Sequence, residues 1–176
     1  DYTVSDSTIS AGQLNSLNAQ YSGTVDATAV TTITGTAAEI NTVYSSSGIS
    51  GLGDEGVTVT DTHTLAQLKA INNATSGQLT LNDYSVAISG SAADIKAALA
   101  GTFAAAYTGN VVINDANGSN IAAADISTIA GATTGTITVS NNINITGTSA
   151  AIATAVGNID TFSDSPTATL SDAHTL

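Results

Sequence analysis

Cysteine is absent from the 176 residues, so the chain has no disulfide framework and no thiolate metal site. Cations are scarce: Lys69 and Lys96 stand against 14 acidic residues, and the net charge is −12. Neutralising phosphates takes clustered Lys and Arg, so this balance argues against nucleic acid as a partner, and against anionic lipid for the same reason. Long apolar runs are missing. Stretches such as Phe103-Ala104-Ala105-Ala106-Tyr107 fall far short of a bilayer span, and no signal peptide is visible, so no membrane insertion is expected in this segment. Catalytic vocabulary is missing as well. There is no Gly-x-Ser-x-Gly elbow, no phosphate-cradling Gly-rich loop with Lys, and no clustered acid, base and cation, which points away from an enzyme.

The residues present are 42% hydrophobic but only 4% aromatic and 9% charged. That is not the signature of disorder, which pairs low hydrophobicity with high charge. Because the apolar residues are mostly Ala, Val, Ile and Leu, the expected core is thin and built of small aliphatic side chains. The acidity leaves carboxylates without cationic partners and sets molecules repelling one another.

Two phrases recur. Ile33-Thr34-Gly35-Thr36-Ala37-Ala38-Glu39-Ile40 returns as Ile88-Ser89-Gly90-Ser91-Ala92-Ala93-Asp94-Ile95 and as Ile145-Thr146-Gly147-Thr148-Ser149-Ala150-Ala151-Ile152. Val4-Ser5-Asp6 returns as Val59-Thr60-Asp61, Ile113-Asn114-Asp115 and Leu170-Ser171-Asp172, with its Asp residues 55, 54 and 57 positions apart. A long regular period of this kind is the mark of stacked repeats. The units run over 1–55, 56–110 and 111–166, with a partial fourth from 167, and form a single repeat array over 1–176. The chain opens at a unit start and closes inside the fourth unit without a polar cap. An excerpt from a longer array, or ends covered by neighbouring molecules, is therefore expected.

Each unit reads as two strand–helix halves. Thr3-Val4-Ser5, Val57-Thr58-Val59-Thr60 and Val111-Val112-Ile113 are β-branched strands. Ser10/Gln13 and Thr64/Gln67 fit the helix capping box, whereas Ala122 leaves the third unit's helix without a cap hydroxyl. Inward pairs follow at Leu14/Leu17, Leu68/Ile71 and Ile126/Ile129, and Gly23, Gly77 and Gly135 read as helix ends. In the second half, Thr24–Ala27, Gln78–Leu81 and Thr136–Val139 are strands, followed by extended runs ending at Ile33, Ile88 and Ile145. Capped helices come next, with Ile40/Val43, Ile95/Leu99 and Ile152/Val156 inward. The last stretch of each unit varies most and reads as surface loop.

Alternating strands and helices predict an α/β fold, a repeat solenoid of about three 55-residue units with parallel strands and short capped helices, equivalent strands of successive units pairing side by side. Tandem β-sandwich modules are the alternative. The recurrent Asp6, Asp61, Asp115 and Asp172 have two readings: a column of carboxylates that holds calcium, or turn residues accepting backbone N–H bonds two positions on. No other cofactor is expected. His63 and His174 share one register, which unit one fills with Thr8, so both read as solvent-facing positions with no ligand role.

The wording of Gly23–Asn41 and of Ile49-Ser50-Gly51-Leu52-Gly53 resembles the tandem repeats of giant bacterial surface proteins, especially those of marine cyanobacteria. The resemblance implies an extracellular or cell-surface location and a role in adhesion, surface layers or fibres, with no catalytic motif to carry over. The sequence therefore reads as a structural segment of a secreted filament, surface layer or adhesin, a spacer that stacks head to tail on copies of itself or on flanking repeats. The alternative is an adhesion module that binds calcium, or surface glycans through the loops Gly48–Glu55 and Gly101–Asn110.

Overall fold

The computed structural model describes residues 1–173, and among them it shows an α/β protein with six helices and four parallel sheets. The chain divides into two compact units. The first takes Asp1–Tyr84 with Ala100–Ala105. It contains β1 (Tyr2–Thr3), β2 (Thr8–Ser10), α1 (Ala11–Gln20), β3 (Val25–Asp26), β4 (Thr32–Gly35), α2 (Ala37–Ser45), β5 (Ile49–Ser50), β6 (Gly56–Val59), α3 (Leu65–Ala74) and β7 (Leu79–Leu81). Its sheets are ordered β1-β3-β5 and β2-β4-β6-β7. Buried Ile9, Ile33, Val57 and Leu79 stand opposite one another along the second sheet. Ala11, Leu14, Ile40, Leu68 and Ile71 close the core from the helices.

The second unit takes Ser85–Leu99 and the chain from Ala106 onward. It contains β8 (Ile88–Gly90), α4 (Ala92–Ala98), β9 (Val111–Ile113), β10 (Asn120–Ala122), α5 (Ala123–Ala132), β11 (Ile137–Val139), β12 (Asn144–Gly147), α6 (Ser149–Gly157), β13 (Thr161–Phe162) and β14 (Thr167–Leu170). One sheet runs β8-β9-β11-β13 and the other β10-β12-β14. Ile88, Val111 and Ile137 form a buried ladder in the first, and Ile121 faces Ile145 in the second. Strands of two to four residues and helices of seven to ten are marginal in isolation, so each element depends on the apolar face it buries.

The pairing step differs from the sequence expectation. Thr8 lies opposite Thr32, and Thr32 opposite Gly56, a step of 24 residues rather than 55. A stretch of about 55 residues thus holds two passes of strand and helix, and within each compact unit the strands of one pass lie against those of the next. Alternate passes differ in wording: β4 runs through Gly35 and Thr36 straight into α2, whereas β6 reaches α3 through a longer loop. Backbone ladders do not read side-chain identity, so phrases recur at twice the step at which strands pair. Parallel pairing with helices between paired strands also replaces the alternative of β-sandwiches, whose sheets are antiparallel.

The caps are where the sequence places them. Ser10, Thr36 and Thr64 form complete capping boxes with Gln13, Glu39 and Gln67. Ser91 and Thr148 cap through their hydroxyls, and Ala122 makes no side-chain cap bond. The helix ends differ. Helices α1, α3 and α5 stop at Gln20, Ala74 and Ala132, and their capping residues Tyr21, Thr75 and Thr133 are extended. Gly23, Gly77 and Gly135 come two residues later and have no left-handed φ. At two of these the reason for glycine is close approach: a Cβ on Gly77 would lie 2.2 Å from the Glu55 carbonyl oxygen, and one on Gly135 2.3 Å from that of Gly109. The expected surface loops also carry sheet structure, since β5 and β13 lie in them and Phe103 and Tyr107 bridge to Leu79 and Thr133.

Two glycine substitutions should have opposite signs. Gly135→Ala is expected to lower unfolding free energy by about 1–3 kcal/mol through the backbone clash. Gly131→Ala, exposed in α5 with nothing within 4 Å of its Cβ, should raise it by about 0.5–1 kcal/mol. Urea melts of the two variants check both.

Candidate functional site

The first N–H groups of any helix have no acceptor within that helix, and the positive end of its dipole sits there. In α2 the Thr36 hydroxyl accepts from the Glu39 N–H at 3.3 Å, which leaves Ala37, the first helical residue, unserved. Asp61 serves it. Its Oδ1 accepts from the Ala37 N–H at 2.8 Å, across 24 residues. Beside that bond the Thr60 N–H donates to the Gly35 carbonyl at 2.9 Å. In α4 the Ala92 N–H donates to Asp115 Oδ2 at 2.7 Å, and the Asn114 N–H to the Gly90 carbonyl at 3.0 Å. In α6 the Ser149 N–H donates to Asp172 Oδ1 at 2.9 Å and the Ser149 hydroxyl to Oδ2 at 2.7 Å, while the Ser171 N–H reaches the Gly147 carbonyl at 2.9 Å. The two Ser149 bonds hold the Asp172 carboxyl below the usual carboxylate range.

The two repeated phrases are therefore the two halves of one interlock, made three times. Asp61, Asp115 and Asp172 are each a cap delivered from the following pass. Among the described residues no group of three or more His, Asp or Glu is placed to hold a metal ion. Asp6 differs from the other three. It is exposed and, among the described residues, its carboxylate accepts no hydrogen bond. It borders an open groove of about 490 Å³ with Tyr2, Ile9, Gly12, Ser16 and Leu17.

A second interlock joins helix C-termini to the pass before. The Thr75 hydroxyl donates to the Glu55 carbonyl at 2.7 Å and accepts from the Gly77 N–H at 3.0 Å. Thr133 repeats this with the Gly109 carbonyl at 2.8 Å and the Gly135 N–H at 3.0 Å. Both threonines are buried. The corresponding residue after α1 is Tyr21, which is 42% exposed and rests against Tyr2 with ring centroids 4.9 Å apart.

At the acidic end of the loop Gly48–Glu55, Asp54 is exposed and Glu55 is buried. Glu55 is 1% exposed, and its carboxylate accepts from the Tyr44 hydroxyl, from the Gly53 N–H at 2.7 Å and from the Asp54 N–H at 3.3 Å. Burial, with Glu55 beside it, pushes the Tyr44 hydroxyl well above its ordinary range. In the Gly101–Asn110 loop, Tyr107 is buried and its hydroxyl donates to the Val86 carbonyl at 2.6 Å. Lys96 pairs with Asp125 at 2.6 Å and ties α4 to α5. His63 overturns its expected exposure, since it is buried, and His174 lies outside the described residues. Burial holds the His63 imidazole below its usual range, and the Asp83 and Asp61 carboxylates oppose this only in part.

The interlock predicts that Asp61→Ala lowers unfolding free energy by about 1 kcal/mol, the worth of a helix cap, whereas Asp6→Ala stays within about 0.5 kcal/mol of the parent in denaturant melts. His63 gives a pH dependence. Its folded-state pKa lies below the unfolded value of 6.5, so its contribution to stability is complete above that value and falls as pH drops through 6.5 toward the folded pKa. Melting temperature should decline between about pH 7.5 and 5.5, and His63→Gln should flatten that decline. Comparison with known proteins found no family model, no curated protein and no solved structure that matches this chain.

Proposed function

We propose that the chain is a non-enzymatic structural repeat segment of a secreted filament, surface layer or adhesin, whose passes form a repeat solenoid that stacks on copies of itself or on flanking repeats. The observation that carries this reading is the interlock. Asp61, Asp115 and Asp172, at the most regular charged position in the chain, each hold one pass to the next. In a catalytic protein the repeated polar residues would be expected to converge.

The pairing step sets what such a segment is good for. Strands in a sheet lie about 4.8 Å apart, so two passes advance about 10 Å on the sheet side. The same 55 residues fully extended would reach roughly 190 Å. The architecture trades reach for stiffness and for a closely ruled surface, which suits a wall or fibre rather than a long tether. A net charge of −12 keeps such segments dispersed until salt screens their repulsion. An extracellular or cell-surface location belongs to the same reading.

Sedimentation velocity over a concentration series is the test. Association should grow with protein concentration and be stronger in about 0.5 M NaCl than at low salt. A sedimentation coefficient that stays monomeric at millimolar concentration in high salt would contradict the stacking role.

A further inference from the structure

Three Asn-x-Ser/Thr triplets, the acceptor pattern for N-linked glycan, occur in the chain: Asn73-Ala74-Thr75, Asn117-Gly118-Ser119 and Asn144-Ile145-Thr146. Such triplets arise readily by chance in a chain rich in Ser, Thr and Asn. A usable copy is one whose amide nitrogen and hydroxyl are both free and reachable. In two of the three the fold already engages these groups. Thr75 is buried, and its hydroxyl donates to the Glu55 carbonyl and accepts from the Gly77 N–H. Asn144 sits in β12, where its Nδ2 donates to Asn120 Oδ1 at 2.7 Å and to Thr169 Oγ1 at 3.0 Å. The Thr146 hydroxyl beside it donates to the Ile121 carbonyl at 3.4 Å.

The third triplet differs on each count. Ala116, Asn117 and Gly118 are exposed and Ser119 is half-buried, in a turn closed by the Ser119 N–H on the Ala116 carbonyl at 3.0 Å. Gly118 has a left-handed φ of 79°, which the third position of such a turn favours, and a Cβ there would meet nothing within 4 Å. The turn lies in added chain: α5 begins eight positions after Asp115, whereas α3 begins four positions after Asp61. The Asn142 N–H donates to Asn117 Oδ1 at 3.0 Å, so the amide is held by its oxygen, the one atom of that group able to accept from a backbone N–H. Among the described residues neither Asn117 Nδ2 nor the Ser119 hydroxyl makes a hydrogen bond. From this we infer that Asn117 is an acceptor site for an N-linked glycan delivered from a lipid-linked oligosaccharide. In the transfer Nδ2 attacks C1 of the first sugar. The bond from C1 to the lipid pyrophosphate oxygen breaks, its electron pair leaves with the pyrophosphate, and the displaced amide proton passes to a base of the transferase. The product is still an amide whose carbonyl can accept the Asn142 N–H, so the fold need not open to be modified. The inference rests on the extracellular reading above, because such transfer acts on exported chains.

The test uses the purified full-length chain, with circular dichroism confirming that it is folded, and an oligosaccharyltransferase that reads the bare triplet, supplied with its lipid-linked oligosaccharide. Mass spectrometry of proteolytic peptides gives the occupancy of each site. Asn117 should carry the glycan, at an occupancy several-fold above that of Asn73 or Asn144. Asn117→Gln and Ser119→Ala should abolish modification at this site, and Ser119→Thr should retain it. Synthetic peptides spanning the three triplets should all accept glycan, which would assign the selectivity to the fold. Folded chain left unmodified, or modified at Asn73 or Asn144 as readily as at Asn117, would overturn the site. The reaction contains only purified components, so its failure bears on the acceptor site alone. Sedimentation and cell fractionation bear separately on stacking and location.

Discussion

Everything in this fold leans on one electrostatic need: the opening N–H groups of a short helix must find acceptors. A helix of nine residues such as α2 is marginal in water, and its first turn carries the positive end of the dipole with donors that no earlier carbonyl can meet. The chain answers with two acceptors of different origin. Thr36 supplies one from within its own pass, and Asp61 supplies the other from the pass that follows. The first makes the helix start where it does. The second makes the start of that helix depend on the presence of a neighbour. Repeated at α4 and α6, this converts a local capping preference into a rule of assembly.

The consequences reach the core and the ends. Ladders of single aliphatic residues such as Ile9, Ile33, Val57 and Leu79 bury little area per strand, and each strand has only two to four residues. Elements this short draw their stability from the neighbours they pack on. Buried Thr75 and Thr133 work at the opposite helix end, where their hydroxyls reach back to the pass before. The Asp61 bond at the start of α2 and the Thr75 bond at the end of α3 join the same two passes, as the Asp115 and Thr133 bonds do for α4 and α5. Asp6, Tyr21 and Val156 are exposed, whereas Asp61 is bonded and Thr75 and Leu99 are buried.

Legibility in the sequence followed the range of each interaction. The capping boxes at Ser10, Thr36 and Thr64 were readable because donor and acceptor sit three residues apart, and the missing hydroxyl at Ala122 was readable for the same reason. The 24-residue pairing step was not, because the eye follows identical words and these recur only in alternate passes. Strands β2, β5 and β13, with two or three residues each, have no periodicity to detect. Gly77 and Gly135 looked like helix stops, yet they are required by a carbonyl arriving from the previous pass, which no local window contains. The match to Thr8 suggests an outward His63, whereas His63 is buried and Thr8 exposed, since shared register in the sequence does not fix burial. The Asp interlock did leave a trace. Asp61, Asp115 and Asp172 follow Gly35, Gly90 and Gly147 by 26, 25 and 25 residues, a spacing held more tightly than the 54 to 57 that separates successive Asp residues. Two phrases that keep a fixed distance across varying loops are candidates for direct contact.

Hydrogen exchange at three amides tests the central claim most directly. The first N–H of a helix ordinarily exchanges fast, since it has no partner within the helix. The account predicts that the Ala37, Ala92 and Ser149 amides are protected to a degree comparable with the strand amides of Ile33, Ile88 and Ile145, and that Asp61→Ala releases Ala37 alone. Rapid exchange at all three in the intact protein, alongside protected strands, would mean that the passes are not joined through these carboxylates.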